Sequence, residues 1–170
     1  MTESVPSSIN PLVGDLQGAD PKQRPSVVIQ KVYVKDLSLE IPHAPQIYTE
    51  ALQPALEMQI STQAAKLTDN YYDVSVTCTV TAKAGERTLF LVEAVQAGIF
   101  TIANIVPRDL EPVLAISCPT ILYPYLRECI SDVTSRAGFP SVLLGPIAFE
   151  ALYLQRLQEQ QGAPQQELSR

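Results

Sequence analysis

The residues of this chain able to do covalent or metal chemistry are Cys78, Cys118 and Cys129, together with a single histidine, His43. A thiol becomes a nucleophile when a neighbouring base holds it as thiolate. His43 stands in Pro42-His43-Ala44-Pro45, distant in sequence from all three cysteines, and reads as a loop residue. The cysteines are odd in number and lack CxxC spacing, which matches buried reduced thiols better than a disulfide framework or a metal site. Arg127 and Glu128 lie in a helical pattern, where they read as an ion pair or interface contact and not as an acid–base couple. A glycine loop able to cradle phosphate is also missing. Neither catalytic residue, metal nor cofactor is expected, and function should lie in binding.

Composition limits what could be bound. The 170 residues are 46% hydrophobic, enough for one domain with a real core. Twelve Lys and Arg against 18 Asp and Glu give a formal charge of -6, which repels nucleic acid and anionic lipid. Met1 to Asn10 carries Glu3, lacks a basic residue and has no apolar run, so it reads as something other than a secretory signal. No later segment has the length of a membrane span, so stable membrane insertion is not expected and a cytoplasmic location is.

The elements that must position a binding surface are legible from periodicity. Residues 1–26 hold Pro6, Pro11, Pro21 and Pro25 among polar residues and read as a disordered arm; residues 161–170 read as a flexible tail, fraying from about Gln158, and residues 27–160 form the domain between them. Leu37, Leu39 and Ile41 alternate with Asp36, Ser38 and Glu40, and the upstream stretch Val27 to Val34, apolar at both parities, extends the same strand. Leu56, Met58 and Ile60 give a second strand with one face buried. Tyr72, Val74, Val76, Cys78, Val80 and Ala82 give a third, joined through Lys83-Ala84-Gly85-Glu86 to a fourth over Thr88 to Phe100. The connection Pro42 to Pro54 is too long for a tight hairpin and should cross over or wrap the sheet.

From Leu110 the period becomes helical, with Leu114, Cys118, Ile121, Leu122, Tyr125, Leu126, Cys129 and Val133 as the expected buried stripe and Gly138 as the C-terminal cap. Pro112 suits a first turn, whereas Pro119 and Pro124 predict a kink or break. Val113, Ile116 and Tyr123 fall off that stripe, so a second subunit should cover them. Phe149 to Leu157 forms a short second helix. Strands followed by helices predict an α+β domain: a four-stranded antiparallel sheet with one long, proline-kinked helix and one short C-terminal helix on one face.

Parity also defines the face opposite the apolar set. Asp36, Glu40, Glu57, Asp73 and Glu93 belong there, with Leu89, Leu91 and Val95 around Glu93 and with Arg87 at the edge as the main cation. Such a plate could dock a basic partner. A solvated face with scattered acids, or one covered by the chain's own arm, fits the same pattern.

Three stretches resemble the SecB family of export chaperones: Ile29-Gln30-Lys31-Val32-Tyr33-Val34-Lys35-Asp36-Leu37-Ser38-Leu39-Glu40, followed by Pro42-His43-Ala44-Pro45; Gly98-Ile99-Phe100-Thr101-Ile102; and Cys118-Pro119-Thr120-Ile121-Leu122-Tyr123-Pro124-Tyr125-Leu126-Arg127-Glu128-Cys129-Ile130, leading to Ser135-Arg136-Ala137-Gly138-Phe139-Pro140. The resemblance covers about Val27 to Gln160 and implies a cytosolic holdase that works without ATP. It implies unfolded preproteins as clients, the SecA ATPase as recipient, and a homotetramer built as a dimer of dimers through the long helices. Its implied SecA contacts are Asp36, Glu40, Leu91 and Glu93, and its implied client groove comprises Ile47, Tyr48, Leu52, Leu56, Met58, Ile60, Tyr153 and Leu154. The implied subunit contacts are Val113, Ile116, Tyr123, Arg127 and Ile130. The chain departs from the family pattern in its longer, proline-rich arm, in a less acidic tail ending Glu167-Leu168-Ser169-Arg170, and in Arg87, whose charge should lower affinity for a basic partner. A SecB-like chaperone that controls a toxin–antitoxin pair is the alternative within the same fold.

Overall fold

The computed structural model describes residues 24–162, so most of the expected arm and tail lies outside the described residues. Four strands, β1 (Ser26–Glu40), β2 (Ala55–Thr68), β3 (Tyr71–Ala84) and β4 (Arg87–Ala103), form one antiparallel sheet in the order β1-β4-β3-β2. The connection after β1, which holds a short 3-10 turn at Gln46–Thr49, therefore crosses from one edge of the sheet to the other. β2 runs seven residues beyond the expected Ser61, because Thr62 to Thr68 stays paired with β3 up to a turn at Asn70, whose φ is positive. Gly85, at φ +59, closes the β3–β4 hairpin as expected.

β1 explains its own mixed pattern. Register shifts make Gln30 and Lys35 extra residues, and each bulge reverses the parity of the residues beyond it. Val27, Ile29, Val32, Val34, Leu37 and Leu39 consequently all pair with even-numbered residues of β4 and share one face.

After β4 come α1 (Pro107–Pro112), a π turn (Val113–Ser117), α2 (Cys118–Arg136) and α3 (Phe149–Gly162). Helix therefore begins three residues before Leu110, and Pro112 lies at the end of α1 instead of in its first turn. The expected break falls just upstream of Pro119, where the Cys118 N–H reaches back five residues to the Val113 carbonyl. The wide turn absorbs the donor that Pro119 lacks and lets a fresh helix start with proline in its first turn. Gly138, at φ +83, ends α2: its N–H bonds the Ser135 carbonyl and the Phe139 N–H bonds that of Thr134.

The buried stripe of α2 is rotated from the expected one. Cys118, Leu122, Leu126, Ile130 and Thr134, four residues apart, face the sheet together with Pro119 and Tyr123. Tyr123 can be buried because its hydroxyl donates to the Gly145 carbonyl at 2.6 Å and its ring meets Phe149 edge-on. Tyr125, expected in the core, is exposed. α2 packs on β4 and β3. Beneath it Val74, Val76, Cys78, Val80 and Ala82 of β3 and Phe90, Val92, Ala94, Phe100 and Ile102 of β4 are all buried. Leu89 joins this core and leaves the acidic face, because the shift between Ala82 and Lys83 makes it the extra residue of its hairpin.

Two outcomes are expected of this core. A Cβ on Gly98 would stand 2.9 Å from Leu122 Cδ2 and from Phe100 Cε2, and 3.1 Å from the Lys31 carbonyl. Gly98→Ala should therefore cost about 1–3 kcal/mol of overpacking, read as a lower midpoint in urea unfolding. Burial pushes the Cys78 thiol up to about 11 and the Cys118 thiol up to about 12, whereas Cys129 is only half-buried. At pH 8 a maleimide should modify Cys129 well before the other two, with the order checked by mass spectrometry of native protein.

Candidate functional site

Two surfaces remain after the core is assigned, on opposite faces of the sheet. The first is the face turned away from the helices. Register places Asp36 opposite Val95, Ser38 opposite Glu93 and Glu40 opposite Leu91, so the four expected partner residues Asp36, Glu40, Leu91 and Glu93 form one patch across β1 and β4. Glu93 is half-buried, and Thr79 Oγ1 of β3 donates to its carboxylate at 3.0 Å. That bond fixes the orientation of the charge, while Asp36 and Glu40 stand exposed.

The remaining acids of this face are matched by cations that the sequence pattern did not place there. Lys83 Nζ meets Glu57 at 3.0 Å. Asp73 receives Lys35 Nζ on one carboxylate oxygen and the Tyr33 hydroxyl on the other, both at 2.9 Å. Burial raises the Tyr33 phenol, with the Asp73 bond adding to it, and the same carboxylate raises the Lys35 ammonium. The negative field is therefore concentrated on Asp36, Glu40 and Glu93. Arg87, expected to lower affinity for a basic partner, is engaged with an acid outside this patch. Its strand partner is Ala84, and its guanidinium grips Glu50 of the crossover through two bonds of 2.7 and 3.2 Å, which hold the Glu50 carboxyl below its ordinary range.

The second surface lies along β2, on the helix side. Leu56, Met58 and Ile60 pair with Ala82, Val80 and Cys78, whose side chains face the core. Yet Leu56 is 52% and Met58 46% exposed, because α2 packs chiefly on β3 and β4. The expectation that this strand buries one face fails here, and so it does for Leu37 at the far edge. α3 stands over the π turn and leaves a cleft of about 200 Å³ between itself and β2, lined by Ile60, Phe149, Leu152 and Tyr153. Leu154, also expected in the groove, is exposed and does not line this cleft.

The crossover borders the surface differently from what was expected. Ile47 is buried in the core and cannot line a groove, while Leu52 is half-buried against it. Tyr48 is exposed, with its ring 5.3 Å from Phe139 and its hydroxyl bonded to the Ala137 carbonyl at 2.7 Å. Phe139 in turn lies 4.7 Å from Phe90, so the crossover is fastened to the end of α2 by an aromatic chain.

Among the expected subunit contacts, Tyr123 and Ile130 are buried within the chain and unavailable. Val113 and Ile116 are half-buried, and Arg127 is exposed with its guanidinium 6.0 Å from the Tyr123 ring centre. Tyr125, which periodicity placed in the core, and Leu143, 80% exposed and not singled out by it, add apolar surface. No group of three or more His, Cys, Asp or Glu able to hold a metal occurs among the described residues. Among the same residues, no helix is long and apolar enough to cross a membrane.

The family model described as "Preprotein translocase subunit SecB" matches residues 20–160. The protein-export protein SecB of Chromobacterium violaceum is 53% identical over 137 residues, covering 81% of this chain and 91% of the relative. That of Neisseria gonorrhoeae is 54% identical over 134 residues, covering 78% and 91%. In solved structures, a Mycobacterium tuberculosis SecB-like chaperone in complex with a ChAD peptide from the HigA1 antitoxin superposes with a TM-score of 0.55 at 20% identity, covering 71% of this chain and 90% of that one. That likeness bears on the fold alone.

Proposed function

The chain belongs to the SecB family of protein-export chaperones, and from that premise we propose that it is a cytoplasmic, ATP-independent holdase that keeps preproteins unfolded and delivers them to SecA. The observation that carries this reading is the separation of two unlike surfaces on one sheet. An apolar edge strand lies open on the helix side, and a concentrated acidic patch lies on the opposite face.

The apolar strand suits an extended, non-native segment. β2 spans 14 residues, about 45 Å of strand, and as an edge it turns every second backbone N–H and C=O outward. An extended chain can pair with that edge while its side chains cover Leu56, Met58 and the cleft beyond. Fully burying a side chain of this size contributes about 1.5–3 kcal/mol, so the half still exposed on each has about 1 kcal/mol to gain. Several such contacts give affinity without sequence choice, and a folded client hides the segments that would bind. Turnover is not part of this mechanism, and the protein is not an enzyme.

The acidic patch suits a basic docking segment of SecA. Two carboxylates on β1 and one on β4, with Leu91 among them, offer charge for approach and an apolar contact for residence. Assembly as a homotetramer, a dimer of dimers, is supported by surplus apolar surface on β1, the π turn, α2 and the segment after it, where Val34, Leu37, Tyr125 and Leu143 are exposed and Val113, Ile116 and Arg127 stay accessible. Control of a toxin–antitoxin pair is not favoured. The relatives at 53–54% identity carry the export name, whereas the antitoxin-binding neighbour shares 20%.

The test separates the two surfaces. Asp36→Lys with Glu93→Lys should weaken SecA binding more than tenfold while the chaperone still suppresses light scattering by a diluted, denatured preprotein without nucleotide. Leu56→Asp with Met58→Asp should do the reverse. Loss of both activities from the charge reversal, in an assembly that remains folded, would contradict the separation.

A further inference from the structure

α3 and β2 enclose more than one cleft. Ile60, Thr62 and Ala64 share the helix-side face of β2, since they pair with Cys78, Val76 and Val74. The cleft of about 200 Å³ lies on the Ile60 side. A second cleft, of about 370 Å³, lies on the Ala64 side and is walled by Leu110 and Leu114. Thr62, Ala115 and Arg156 line both. What separates them is a bridge: Arg156 Nη2, from α3, donates to Thr62 Oγ1, on β2, at 3.0 Å. The guanidinium makes no ion pair with a described residue.

We propose that Arg156 is a specificity-determining divider, which limits an extended client segment to one anchoring side chain until the bridge to Thr62 opens. This rests on the holdase reading and deepens it. The spacing supports it: alternate side chains of an extended segment stand about 6.8 Å apart, matching the repeat of Ile60, Thr62 and Ala64 along β2. A segment lying along β2 can place residues i and i+2 in the two clefts only if the guanidinium leaves the position above Thr62. Both partners are on the exposed side of the molecule, so water competes for the bond and rotamer exchange is fast. The divider is therefore a soft one. It should penalise segments that need both clefts by about two- to fivefold, the weight of one exposed hydrogen bond, and leave single-anchor segments alone. Glu159 lines the first cleft and Glu111 the second, so each cleft also carries an acidic residue.

The experiment measures the affinity of the full-length chain, by fluorescence anisotropy, for two otherwise identical labelled peptides of Gly, Ser and Thr. One carries leucine at i and i+2, and the other carries a single leucine. Arg156→Ala should tighten the two-leucine peptide two- to fivefold and leave the other unchanged. Thr62→Val, which keeps the charge and removes the acceptor, should act in the same direction. Equal changes for both peptides would reveal a general charge effect, and weaker binding of both would make Arg156 a direct client contact; either overturns the divider, as does no change at all. A wild-type chain that bound neither peptide while the assembly stayed intact would overturn the holdase reading itself.

Discussion

Among the described residues, the helices do not cover all four strands. α2 lies over β3 and β4, and the core is confined to those two strands: their helix-side residues are buried from Val74 to Ala82 and from Phe90 to Ile102. β1 and β2 carry the same apolar alternation on the same face but receive no equivalent cover, so Leu37, Leu56 and Met58 remain open. In a monomeric soluble domain, apolar edge strands of this length are a hazard for aggregation. Here both the client reading and the assembly reading draw on that uncovered surface, one at each edge of the sheet.

The other face of the sheet differs in its chemistry. Pleating sends alternate residues to opposite sides, so a single set of strands supports an apolar strip and an acidic patch without mixing them. The ion pairs sharpen the patch: Lys83 and Lys35 neutralise Glu57 and Asp73, leaving Asp36, Glu40 and Glu93 as a local source of negative potential. Thr79 orients the Glu93 carboxylate. The Glu50–Arg87 pair and the Tyr48–Phe139–Phe90 chain fasten the crossover to the β3–β4 hairpin and to the segment after α2.

Strand parity was the most legible feature, because a period of two leaves one choice per strand and the acids of β1, β3 and β4 fell on the face it assigned. What periodicity could not give was the position of bulges. Val27 to Val34 read as apolar at both parities, and the extra residues Gln30 and Lys35 are what bring Val27, Ile29, Val32, Val34, Leu37 and Leu39 to one face. α2 was harder, since a helix apolar nearly all round does not say which side meets the sheet; Tyr123 and Tyr125 exchanged roles because a carbonyl of Gly145 was available to the first. Pairings across long separations were invisible: Arg87 and Glu50 are 37 residues apart, and Arg156 and Thr62 are 94 apart. The one signal for the last was an arginine one turn beyond Leu152, at the border of an apolar stripe. Burial of Ile47 likewise depends on where the crossover is seated, which no local pattern specifies.

The central claim is that the uncovered apolar strand, and not the acidic face, receives unfolded polypeptide. A photocrosslinking amino acid placed at Met58, and separately at Leu91, tests it with a denatured preprotein diluted into the purified chaperone. The account predicts covalent client adducts from position 58 and almost none from position 91. Adducts from position 91 alone, with position 58 silent in a folded assembly, would contradict it.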